Sequence, residues 1–220
     1  MPQADTRAPG ATRAHRVRRP ARGAAGGPSP AEARPSLTPE SWIDAATEVL
    51  VDKGIDHVRV DVLAGELKVT RGSFYWHFRD REALLRGVLQ AWRERTTEQL
   101  TARLERAKSD PREQLQDVLS LPFRGRSATR AARIELAIRA WARRDLLARH
   151  AVDEADASRI AYIAQLFSAL GFAVGEARAR AFLLYAYVVG ESLMTGQGTP
   201  TQRQDRAAFV ERLVRQPIPD

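Results

Sequence analysis

Between Val69 and Phe78 the chain reads Val69-Thr70-Arg71-Gly72-Ser73-Phe74-Tyr75-Trp76-His77-Phe78, and side chains that can bind a polyanion alternate there with side chains that can only pack. Arg71 supplies a fork of N–H donors; Thr70, Ser73 and Tyr75 supply hydroxyls, and His77 an imidazole. Phe74 and Phe78 are spaced i,i+4 and share one face of a helix, leaving Thr70, Arg71, Ser73 and His77 largely on the rest of the cylinder. One apolar face and one face of Arg, hydroxyl and imidazole suit a helix clamped to a core and offered to nucleic acid. The pattern predicts the second helix of a helix-turn-helix, the one that enters the DNA major groove. Arg71 and Ser73 are the candidates for base or near-base contact, since arginine can read guanine through O6 and N7. Arg59, Lys68 and Arg81 are candidates for phosphate contact, which positions without specifying. Trp76 belongs either to the same surface or to the packing of the small domain.

Other chemistries lack their residues. The four histidines, His15, His57, His77 and His150, lie far apart. His57 and Asp61 are four apart, but one His and one carboxylate make a weak metal signal. Neither a Gly-rich phosphate loop nor a nucleophile elbow is present. The absence of cysteine excludes disulfides, thiolate metal sites and a Cys nucleophile. No enzyme activity, metal or cofactor is expected.

The elements that must position the motif are legible upstream. Thr38-Pro39-Glu40-Ser41 is a helix start, with a capping Thr and a Pro where a missing N–H costs nothing. Trp42, Ala45, Ala46, Val49 and Leu50 form the apolar stripe of this first helix, and Gly54 ends it. Val60, Leu63, Ala64 and Leu67 have the spacing of a short amphipathic helix. Lys68-Val69 then makes a tight connection, with Thr70 capping the next helix.

Over residues 38–86 the sequence resembles the TetR (tetracycline-repressor-like) family of bacterial transcription regulators. The resemblance rests on Ile43-Asp44-Ala45-Ala46 with Lys53-Gly54, Val60 through Thr70, Gly72 through Phe78, and Arg81-Glu82-Ala83-Leu84-Leu85. The chain departs from the family pattern at Val62, where Asp is common, and at Lys68, where a turn Gly is usual, so Lys68 is predicted to adopt a left-handed conformation. The resemblance implies phosphate contacts from Thr70, Tyr75 and His77. It also implies a cytoplasmic, nucleoid-associated bacterial homodimer that binds a palindromic operator in double-stranded DNA and is released by a small-molecule effector. An architectural DNA binder, or a regulator without an effector, is the alternative.

Composition bounds this reading. Net charge is +8 and the isoelectric point about 10.6. Residues 1–36 carry seven Arg against Asp5 and Glu32, a net of +5, so the rest carries only +3 (8 − 5). This Ala/Arg/Pro/Gly segment is predicted to be a disordered basic arm. No long uncharged apolar run is present, so no membrane span is expected.

The whole is predicted all-α: the arm (1–36), a three-helix helix-turn-helix domain (37–83), and a helical effector-binding and dimerisation domain (84–220). In the last, one helix is predicted from Arg81 through Leu100 and Leu104 to about Ala107, then Pro111 to about Ser120, a loop from Leu121 to Thr129 as a candidate lid, Ala131 to about His150, and a helix from Asp153 to Leu170. Two more follow, from Gly175 to Met194 and from Gln202 to Val214, the last packing Phe209 and Leu213 inward. Phe123, Trp141, Tyr162 and Phe167 are candidate effector-pocket residues. Ile160, Ile163, Phe167, Phe182, Ala186, Val189, Gly190 and Leu193 are candidates for a four-helix dimer interface.

Overall fold

The computed structural model describes residues 37–98, 102, 106, 110–194 and 196–216, and these form helices joined by short turns, with no strand among them. The basic arm and most of the stretch through Leu100, Leu104 and Ala107 lie outside the described residues.

Helix α1 (Pro39–Lys53) begins as the capping signal requires: Thr38 and Ser41 exchange side-chain-to-backbone bonds in a capping box. It ends at Gly54, whose φ of 85° only glycine adopts without strain. A 3₁₀ turn (Ile55–His57) leads to α2 (Val60–Glu66), α3 (Arg71–Phe74) and α4 (Arg81–Arg93). Asp80 caps α4 by accepting the Ala83 N–H at 2.8 Å. Directly after α4 the chain widens into a π-helical turn, Glu94–Glu98.

Then come α5 (Pro111–Ser120), a 3₁₀ turn (Leu121–Phe123), α6 (Arg126–Ala142), α7 (Leu146–Ala169), α8 (Val174–Leu193) and α9 (Pro200–Arg215). Three features, two of them boundaries, differ from expectation. First, α6 starts at Arg126, because Gly125 turns the chain at φ 71°. Second, the break expected near Asp153 falls at residues 143–145, where Asp145 caps α7 by accepting the Ala148 N–H at 3.1 Å. The acids Asp153, Glu154 and Asp156, read as a helix start, lie mid-helix, where Glu154 is met by Arg93 and Asp156 by Arg139. Third, α9 buries Val214 and leaves Phe209 and Leu213 exposed.

Two apolar clusters hold the fold. One joins α1–α4 to the C-terminal half of α6 and the start of α7, through Trp42, Phe74, Trp92, Ile138 and Ala148. The other joins α5, the C-terminal part of α7, α8 and α9 through Leu115, Phe167, Leu184 and Val214. The first cluster crosses residue 83, so the three-helix reader and the helices after it share a core. A ladder of exposed ion pairs adds to it: Asp44, Glu48 and Asp52 project from one side of α1 at i, i+4 and i+8 and meet Arg95, Arg130 and Arg133.

At the other end, the buried Glu191 carboxylate joins α8 to α9 by accepting from Arg203 Nε at 2.7 Å and Arg206 at 2.9 Å. Burial pushes the Glu191 carboxyl up, but the two arginines outweigh it and hold it below its ordinary value of 4.5. A depressed carboxyl contributes stability that is present above its ordinary pKa and lost as pH falls through the folded value. The thermal unfolding midpoint should therefore fall with acid less steeply in Glu191→Gln than in the parent; equal slopes would contradict this.

Candidate nucleic-acid interface and effector cavity

The turn between α2 and α3 is closed by backbone bonds, Lys68 N–H to Gly65 O at 3.1 Å and Val69 N–H to Ala64 O at 2.9 Å. Lys68 takes the left-handed conformation at φ 56°, as its place in the turn demands. Thr70 occupies the N-cap position of α3, but its hydroxyl makes no capping bond; its carbonyl accepts the Ser73 N–H instead. The expected Thr70 side-chain cap is thus absent, and the hydroxyl stays with the exposed face.

Phe74 anchors the segment. It is fully buried, edge-on to Trp42 at 5.3 Å and stacked on Phe78 at 5.6 Å. Those contacts turn the rest of the stretch outward: Lys68, Thr70 and Arg71 are exposed, and Ser73 and His77 half-buried. Tyr75 and Trp76 are 59 % and 88 % exposed, so Trp76 does not pack the small domain. A ring that open is available to a partner.

Two expected phosphate ligands are otherwise engaged. Arg81 donates from Nε to Val58 O at 2.6 Å and from its terminal nitrogen to Ile55 O at 2.9 Å, pinning the 3₁₀ turn to α4. Arg59 forks onto Asp61 at 3.1 and 2.7 Å, and this bond first of all holds the Asp61 carboxyl below its ordinary value.

A cavity of about 420 Å³ opens between α5, α6, α7, α8 and the π-helical turn. Of the four expected pocket residues, only Tyr162 lines it. Trp141 is buried in the cluster around the reader, Phe167 in the second cluster, and Phe123 lies under the Arg203 guanidinium at 4.9 Å. Residues not singled out from the sequence make most of the lining. Ala128, Ala131 and Ala132 give one smooth wall, and Val118, Leu121 and Val188 face other parts of it. Leu121 and Arg124 belong to the segment expected as a lid.

One side of the cavity is a closed polar network. Glu135 accepts from Arg139 Nε at 2.8 Å, Arg159 at 3.2 Å and Trp92 Nε1 at 3.2 Å. Arg159 also donates to Thr97 at 3.0 Å, Thr96 at 2.9 Å and the Tyr185 hydroxyl at 3.0 Å. Tyr185 in turn donates to Asp156 at 2.6 Å, and Arg139 forks onto the same carboxylate. Burial pushes the Tyr185 phenol up to about 12, so it keeps its proton. Burial works against the charge on Arg159, but Glu135 and Tyr185 outweigh it and raise its pKa. Two cations and two carboxylates cancel, and the network ties the π-helical turn to α6, α7 and α8.

The expected interface residues divide. Ile163 and Phe167 are buried within one chain, and Val189 and Leu193 line the cavity. Ile160 and Gly190 are half-buried. Phe182 and Ala186 are exposed on α8, beside Leu183 at 59 %. Among the described residues no group of three His, Cys, Asp or Glu could hold a metal, and no helix is long and apolar enough to cross a membrane.

Residues 43–88 match the family model of bacterial regulatory proteins, tetR family. The HTH-type transcriptional regulator SrpR of Pseudomonas putida is 42 % identical over 52 residues, 24 % of either chain. The matched stretch thus spans about a quarter of that curated relative. Among solved structures, NemR of Escherichia coli in its reduced form superposes with a TM-score of 0.70 at 21 % identity, covering 83 % of this chain and all of that one. A transcriptional regulator from Rhodococcus sp. Rha1 superposes at 0.67 and 19 % identity, covering 81 % and 96 %. The likeness beyond the reader is one of fold.

Proposed function

We propose that this chain, whose residues 43–88 match the family model of bacterial regulatory proteins, tetR family, is a sequence-specific DNA-binding transcriptional regulator. In this reading it is a homodimeric repressor that a small molecule releases from a palindromic operator. The observation that carries the proposal is the exposed run from Lys68 to His77, turned outward by a fully buried Phe74.

The roles follow from placement. Arg71 and Ser73 read base edges at the start of α3. The free hydroxyl of Thr70, with Tyr75, His77 and Lys68, holds phosphates, and Trp76 closes on the duplex as an apolar contact. Arg81 positions the reader through Val58 and Ile55, and Arg59 contributes to DNA only by leaving Asp61. Two such readers enter successive major grooves about 34–36 Å apart. The apolar face of α8 around Phe182, Leu183 and Ala186 supplies the dimer contact, since large side chains left open on one chain are covered in an assembly. The effector occupies the cavity, and it shifts the equilibrium only insofar as it prefers the arrangement that does not bind DNA.

Arg71→Ala should weaken operator binding by about 1–3 kcal/mol and relax preference at one base position if the contact is bidentate. Equal loss on every sequence would contradict base reading. The proposal as a whole is tested by footprinting on DNA flanking the gene, with a salt series and unrelated competitor. A protected two-fold site bound far above competitor supports it. Diffuse, salt-labile binding to all DNA would favour an architectural role.

A further inference from the structure

The cavity is one-sided in charge. Among the described residues its only lining carboxylate is Glu135, and both oxygens of that group already accept hydrogen bonds, from Arg139, Arg159 and Trp92. A cationic ligand would therefore meet no free carboxylate there, only neutral hydroxyls such as those of Ser127 and Ser192. The lining cations are Arg159, saturated by that network, and two others outside it, Arg95 and Arg124. Arg95 shares one Asp44 oxygen through two 3.1 Å bonds. Arg124 spends Nε and one terminal nitrogen on long contacts of 3.1 to 3.5 Å to Ser120 and Asp117, and its other terminal nitrogen has no partner among the described residues. Their carboxylate partners do not line the cavity. The rest of the lining includes the Cβ-only wall of Ala128, Ala131 and Ala132 and the aliphatic residues of α5 and α8.

We propose that this cavity takes a compact amphipathic anion, a carboxylate on an apolar body, with the oxyanion held by Arg124 and Arg95. Guanidinium forks match a carboxylate's two oxygens, and the apolar body gains by leaving water. The inference rests on the reading of this domain as an effector domain and gives that effector its chemical class.

The test is calorimetric titration of the full chain with three probes of one shape: 4-butylbenzoate, 4-butylbenzamide and 4-butylbenzylamine. The benzoate should bind about tenfold or more tighter than either, as a charge-assisted pair exceeds a neutral one. Arg124→Gln should erase that preference, and Ala132→Phe, which fills the cavity, should erase binding; should that variant not fold, Ala128→Phe replaces it. The proposal is overturned if the amide or amine binds as tightly, if none of the three binds, or if binding survives the filled cavity. Operator binding is scored separately by footprinting without any probe. A chain that binds butylbenzoate and no DNA would lose the proposed function and keep the anion site, and the converse result would do the reverse.

Discussion

Phe74→Ala is expected to remove about 3–5 kcal/mol of stability, the range for truncating a fully buried aromatic, and to abolish operator binding. The ring is closed on by Trp42, Tyr75 and Phe78, at centroid distances of 5.3, 5.2 and 5.6 Å. α3 is only four residues long, too short to hold its shape by its own hydrogen bonds. Its orientation is therefore the orientation of Phe74, and a cavity there frees the whole reading face. Two residues along, Trp76→Ala should do the opposite. A ring 88 % exposed contributes within about 0.5 kcal/mol to folding, yet its loss should weaken DNA binding. Chemical denaturation and footprinting of the two variants separate the roles. If Trp76→Ala proved as destabilising as Phe74→Ala, the exposed reader face would be wrong.

The second large effect is expected at Glu135. Its side chain is 13 % exposed and that of Arg159 15 %. Glu135→Ala takes from Arg159 its carboxylate partner and leaves a buried charge held only by the hydroxyls of Thr96, Thr97 and Tyr185, at a cost of about 3–5 kcal/mol, as for other buried pairs that lose one partner. Replacing both, Glu135→Leu with Arg159→Leu, should restore much of that loss, because neither charge then remains to be desolvated. A double variant no more stable than Glu135→Ala would refute the pairing account, and urea denaturation decides it. Arg159 also grips Thr96 and Thr97 in the turn that continues α4, so the double variant has a second readout. If the network carries an effector's presence to the reader, the operator should still be bound and no longer be released.

The reader was legible in the sequence because its constraints are local. The capping box at Thr38, the positive φ at Lys68 and the burial of Phe74 all follow from residue type and spacing over a few positions. The cavity was not. Its wall is built from alanines, which carry no pattern that distinguishes lining from ordinary helix surface, and empty space is a property of how four helices cross. The polar network was hidden for a related reason. Glu135 and Arg139 have the i,i+4 spacing of a solvated helix face, and only the packing of α7 and α8 turns that pair inward. The break between α6 and α7 was misplaced because Asp153, Glu154 and Asp156 mimic a helix start, whereas a single aspartate at 145 makes it.

The acidic row on α1 bears on how regulators of this kind can be recombined. Asp44, Glu48 and Asp52 pair with Arg95, Arg130 and Arg133, which lie beyond the helix-turn-helix segment in the chain. A hybrid that grafts a foreign reader onto this scaffold, to retarget it to a new promoter, would set whatever that helix carries against three arginines. Basic or neutral residues at those positions would mis-seat the graft even where its recognition sequence is perfect. A portable unit would thus carry its acidic row along with the apolar residues that pack against α6 and α7, and donors can be screened at those three positions as well as in the shared core.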